Sequence, residues 1–230
     1  MADVRYWVGG TGSWTSGGST AHWSATSGGS SGASAPTETD VVIFDNNSGT
    51  GTVSCYAAWA YCYELIVSGS GALTLSGSMG IHNSARLSGS KTTSGLTLIY
   101  EADGELATDL VLGGLDIGGR TVEITDYATI NNIDIGDSGS LLLRPIYTLT
   151  APNGIDGPAT GVGYVGSVNY GVQASIDDSS GNNTMERLGV RDIAFGGGAT
   201  WYKGTGFVDN GNNTGLSALP TVSGLFLGDF

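Results

Sequence analysis

The chain has 230 residues, 40 of them glycine, and sets 8 Lys and Arg against 21 Asp and Glu for a formal net charge of −13. That balance excludes a phosphate-backbone partner and disfavours an anionic membrane surface, because no cluster of Lys or Arg interrupts the negative field. An apolar fraction of 40% with only 13% charged residues excludes a disordered chain, which would show the reverse.

Residues 1–54 are predicted to form an N-terminal cap. The start, Met1-Ala2-Asp3-Val4-Arg5-Tyr6-Trp7, has neither the basic opening nor the apolar run of a secretory signal. No stretch approaches the roughly 18 apolar residues of a membrane span. The expectation is therefore a protein made in a cytoplasm, and the sequons at Asn46, Asn182 and Asn212 read as turns. Residues 4–8 form a strand, and Trp14 and Trp23 punctuate a loop rich in Gly and Ser. Residues 24–35 read as an exposed loop, and 40–45 as an apolar strand covered on both faces. Trp7, Trp14 and Trp23 are expected to seal one end of the core, with His22 as a polar residue of that cap.

Residues 55–152 carry a repetition. Leu65-Ile66-Val67-Ser68-Gly69, Leu115-Asp116-Ile117-Gly118-Gly119 and Ile133-Asp134-Ile135-Gly136-Asp137 share one form: aliphatic, any, aliphatic, small, turn. Each is followed by a second alternating strand, and alternation at period two broken by Gly, Ser, Asp and Asn is strand-and-turn chemistry. The second and third units are offset by one solenoid coil, and coils that each bury a single aliphatic row must stack. Strands are expected at 64–68, 72–76, 96–100, 105–112, 115–117, 121–125, 128–135 and 140–144, then a Tyr-Thr-Leu-Thr strand between Pro145 and Pro152. A short helix is expected over 55–63, where Ala57, Ala58 and Ala60 favour it. Cys55 and Cys62 read as two small buried hydrophobes, with a disulfide as the alternative if that segment is a hairpin.

Residues 153–230 are less regular and are expected to close the stack. A strand is placed at 168–172, and the repeat pattern resumes at 188–195. Asp209-Asn210-Gly211-Asn212-Asn213-Thr214-Gly215 is a dense turn, with calcium at Asp209 as the weaker alternative. The apolar residues Leu225, Phe226, Leu227 and Phe230 are expected to pack onto the fold or onto a neighbouring subunit. The fold class is all-β, a right-handed β-helix or solenoid-like stack forming one continuous domain, with a β-sandwich or jelly roll as the alternative.

Two local motifs carry the residue types of catalysis. Gly136-Asp137-Ser138-Gly139-Ser140 with His22 has the residue types of a serine protease, but neither the flanking pattern nor the strand order follows. Asp177-Asp178 is the best adjacent carboxylate pair for polysaccharide cleavage, and the turn residues that follow make it a loop instead. The expectation is a protein with no catalytic residues and no cofactor.

The strings Tyr6-Trp7-Val8-Gly9-Gly10-Thr11-Gly12-Ser13-Trp14, His22-Trp23-Ser24 and Pro36-Thr37-Glu38-Thr39-Asp40-Val41-Val42-Ile43-Phe44-Asp45 resemble the start of repetitive surface proteins of tailed phages and of bacterial β-helical adhesins. Ala199-Thr200-Trp201-Tyr202 with 209–215 resembles the module's end. The resemblance implies a non-enzymatic virion structural protein, assembled in the host cytoplasm as a capsid decoration or tail component. Its implied partners are other virion proteins such as the major capsid protein, and further copies of itself, as in a trimer, with neither nucleic acid nor membrane. A glycan-binding receptor adhesin that meets a host surface glycan is the alternative, and a polysaccharide depolymerase a minor one. Trp7, Trp14 and Trp23 at one end, and Leu225, Phe226, Leu227 and Phe230 at the other, are the candidate partner contacts.

Overall fold

A computed structural model describes residues 2–15, 21–56, 58 and 60–220. Parallel coils wind into a β-solenoid of about nine turns. Each regular coil visits three faces in a fixed order. In one coil these are Val111–Leu112, Gly114–Asp116 and Thr121–Ile124; in the next they are Ala128–Ile130, Ile133–Asp134 and Ser140–Leu143. The third strand of each coil belongs to the longest ladder, called here the first face. It runs from Val4–Trp7 through Val41–Phe44 and the coils below to Val208–Asp209. Parallel pairing throughout these ladders rules out the sandwich and jelly-roll alternative, whose sheets are antiparallel.

The period-two pattern decides which side chains enter the core. On the first face Val42, Leu65, Ala85, Leu106, Ile124 and Leu143 stand in one in-register column, and all six are buried. Cys62, Ile81 and Tyr100 form a second column, and Leu98, Leu115, Ile133 and Ile155 a third. Each fully buried aliphatic contributes about 1.5–3 kcal/mol relative to exposure. That gain exists only where a coil has neighbours above and below, which is why the coils cohere as one stack.

The corners differ from the expected boundaries. Leu73–Leu87 is a single run that turns two corners without a loop, where only 72–76 was expected as strand. Gly77 makes the first bend at φ +95°, and a Cβ there would lie 1.9 Å from the Cys55 carbonyl oxygen. The expected strands 105–112 and 128–135 each break at a corner between two faces. The segment 168–172 is a turn, not a strand; the strands flank it at Gly163–Ser167 and Ala174–Asp178. The expected helix over 55–63 is absent from its described residues: Cys55 ends one strand and Tyr61–Val67 forms the next. Ala60 and Cys62 are pulled inward as rungs of the stack, and tertiary burial overrides the alanine preference. The strand at 41–44 buries only alternate residues, so its outer face is not covered.

The N-terminal end is closed by aromatic packing. Trp7 pairs antiparallel with Trp23, and their rings meet edge to face at 5.0 Å. Trp14 meets Trp23 in the same way at 4.9 Å, and Phe44 lies within 6.4 Å of all three rings. The Trp23 indole N–H donates to the Trp14 carbonyl at 2.7 Å. Replacing Trp23 by Ala should cost about 3–5 kcal/mol in urea melts followed by far-UV circular dichroism. A loss below about 1 kcal/mol would show that the cluster does not hold the end of the stack.

Candidate functional site

The three tryptophans expected to make contacts lie in the interior. Trp7, Trp14 and Trp23 are 0%, 1% and 0% exposed, so no ring face is open to a sugar or a neighbouring subunit in this conformation. His22 stacks on Trp7 at 4.6 Å, and its Nδ1 lies 2.6 Å from the Gly9 carbonyl oxygen. Leu225, Phe226, Leu227 and Phe230 lie outside the described residues.

The residues of the resemblance build this cap. The Asp40 carboxylate accepts from the Thr37 N–H at 2.8 Å, the Thr37 hydroxyl at 2.9 Å and the Asp3 N–H at 3.0 Å. Burial alone would raise its pKa, but these donors and the Arg5 charge hold it below the usual carboxylate value. The Pro-Thr-Glu-Thr-Asp string is thus a clamp that ties the first strand to the one beneath it.

The weighed chemistries separate in space. His22 sits in the capping coil, while Ser138 and Ser140 belong to a coil several rungs below. Adjacent rungs are about 4.8 Å apart, so these groups do not meet. Asp177 and Asp178 lie in one strand and point to opposite faces: Asp177 outward, Asp178 inward, where its Oδ2 accepts from Asn183 Nδ2 at 3.0 Å. Such a pair does not act on one bond. Asp209 is engaged by Lys203 Nζ at 2.8 Å, Asn213 Nδ2 at 2.7 Å and the Gly211 N–H at 3.1 Å, the hydrogen-bonded turn. Cys55 and Cys62 are free, buried thiols; burial pushes Cys55 up to about 12 and Cys62 well above its ordinary value.

The outward positions of the ladders carry the surface chemistry. On the first face Glu64, Ser84, Glu105 and Glu123 occupy one column. Beside it lies an open depression of about 580 Å³, lined by Asn83, Ser84, Arg86, Asp103, Glu105 and Glu123 among others. Arg86 approaches Glu64 at 3.6 Å, and Arg144 Nε donates to Glu123 Oε1 at 2.6 Å. On a second face Asp116, Asp134 and Asp156 stack in register. Burial pushes the Asp134 carboxyl up, and the charges of Asp116 and Asp156 push it the same way. The remaining face presents four Thr-x-Ser segments in successive coils: Thr11/Ser13, Thr52/Ser54, Thr74/Ser76 and Thr92/Ser94. None of these three stripes was anticipated from the sequence, although a Thr-x-Ser count once per coil would have found the last.

Comparison with models of protein families, with curated proteins and with solved structures finds no match to this chain.

Asp40 and Asp134 should respond to pH with opposite signs. Asp40, lowered in the fold, contributes stability above the ordinary carboxylate pKa, and that stability is lost as pH falls through the lowered value. Asp40→Asn should therefore cost about 1–3 kcal/mol at pH 7, with the difference from wild type closing in strong acid. Asp134, raised in the fold, favours folding when protonated, and that contribution disappears as pH rises through its raised value. Asp134→Asn should raise the Tm at pH 7 and leave it unchanged below about pH 3.5. Thermal melts across this range check both; a lowered Tm for Asp134→Asn at pH 7 would contradict the repulsion within the column.

Proposed function

We propose that this chain is a non-enzymatic structural component of a particle surface, in keeping with the phage surface modules that its capping strings resemble. In this reading it is a capsid decoration or tail-appendage protein that docks onto neighbouring virion subunits such as the major capsid protein, alone or as a trimer. The observation that carries the reading is the unbroken parallel ladder from Val4–Trp7 to Val208–Asp209, closed at its start by buried tryptophans. A ladder of this kind is a stiff spacer whose backbone groups are paired coil to coil, and where one residue type recurs at an outward position a wall carries that chemistry over several coils. That suits repeated contact with a lattice of identical neighbours.

A second reading, a receptor adhesin that binds a host glycan, is favoured by the polar depression beside Glu105. It does not use the tryptophans, which are interior.

Labelling purified particles with an antibody to this chain, viewed by electron microscopy, tests the first reading. Regular labelling on head or tail is the expected result. Particles that lack the chain, from cells that contain it, would contradict it.

A further inference from the structure

The corner where the chain leaves the first face carries Ile146 and Tyr170, the two most exposed large apolar side chains among the described residues. In three successive coils this connection is 125–127, 144–147 and 168–173. It is shorter in the coils on either side: residues 109–110 above, and Asp192 alone below. The corner therefore projects over three rungs. Ile124, Leu143 and Ser167 are in register, and three residues beyond each stand Tyr127, Ile146 and Tyr170, which are 58%, 72% and 82% exposed. The Tyr127 ring is held edge to face against Tyr147 at 5.2 Å. Apolar side chains that adjoin one another in water, unlike isolated ones, mark contact surfaces.

The two ends of this ridge carry opposite charge. One rung above Tyr127, three residues beyond Leu106, is Asp109, which is exposed and has no ion pair among the described residues. At the lower end the Arg191 guanidinium lies over the Tyr170 ring at 4.9 Å. Arg191 Nε is 3.2 Å from Asp192 Oδ2, but the Asp192 side chain is buried and accepts from Asn212 Nδ2 and the Gly171 N–H, so the group shown to water there is the guanidinium. Down the corner the order is carboxylate, phenol ring, aliphatic, phenol ring, guanidinium, with Ile146 at the centre. Turned end over end, this series meets its own complement.

We propose that the ridge is the contact between two copies of the chain, related by a two-fold axis at Ile146 that sets the stacks antiparallel. Ile146 packs on the partner's Ile146, Tyr127 on the partner's Tyr170, and Asp109 meets the partner's Arg191. A two-fold contact requires a self-complementary patch of this kind, and Tyr is a favoured interface anchor. A parallel arrangement would set Asp109 against its own copy and Arg191 against its own, and like charges placed together oppose docking. Five rungs span about 19 Å, so the interface is small and the dimer weak, with a Kd on the order of 10–100 µM. The assembly is a dimer where the resemblance implies a trimer, and it does not depend on a place on a virion.

Sedimentation velocity of the full chain from about 1 µM to about 1 mM tests it. The wild type should pass from monomer to dimer across this range, and Ile146→Asp should weaken the dimer at least about tenfold. Asp109→Arg should weaken it as well, and Asp109→Arg combined with Arg191→Asp in one chain should restore it, with thermal melts confirming that each variant folds. Cross-linking reads the orientation and serves if the Arg191 variant does not fold. Tyr127→Cys and Tyr170→Cys proteins, mixed with a mild added oxidant, should join to each other in preference to themselves; Cys55 and Cys62 are buried and stay out of the reaction. A wild type that stays monomeric, a trimer, an Ile146→Asp protein that dimerises as the wild type does, a folded charge-swapped chain that does not recover, or like-with-like cross-links would overturn the proposal.

Discussion

Register between coils is the constraint on which this molecule depends. In a parallel stack every side chain stands above its counterpart one rung away, about 4.8 Å distant. A slip by one residue would turn Leu65, Leu106 and Leu143 outward and Glu64, Glu105 and Leu142 into the core. The faces therefore hold their pairing while the connections absorb the variation. Below the capping coil, coils range from about 18 residues, between Glu105 and Glu123, to about 25, between Gly166 and Arg191, and the excess goes to corners and turns.

The same constraint writes the surface. What recurs at an outward position becomes a stripe, whether hydroxyl, carboxylate or mixed. Like charges then stack at a distance where they repel, as Asp116, Asp134 and Asp156 do. With 8 cationic side chains against 21 acidic ones, only some carboxylates find a partner. Surface ion pairs such as Arg144 with Glu123 add little to stability individually, but they determine which acids remain unanswered.

The stacked fold was legible because aliphatic alternation and turn residues recur at coil length in 115–143. The tryptophan cap was legible because three large aromatics precede the first regular coil. Corners were not legible, since Gly77 bends the chain inside one continuous strand and the Asn131-Asn132 step breaks the 128–135 run with only two residues. The alanines near residue 58 misled because helix propensity is a local preference of a few tenths of a kcal/mol per residue, which one buried rung outweighs. The depression beside Glu105 was illegible for a different reason. Ser84, Asp103 and Glu105 become neighbours only once the coil-to-coil register is known, and no spacing along the chain reveals it.

The central claim is the in-register aliphatic column, and methyl–methyl nuclear Overhauser contacts measure it directly. With Leu, Ile, Val and Ala methyls labelled, contacts should run Leu65 to Ala85 to Leu106 to Ile124 to Leu143, and separately Leu115 to Ile133 to Ile155. Contacts that skip rungs, or that join each residue to one shifted by a single position in the neighbouring coil, would contradict the account.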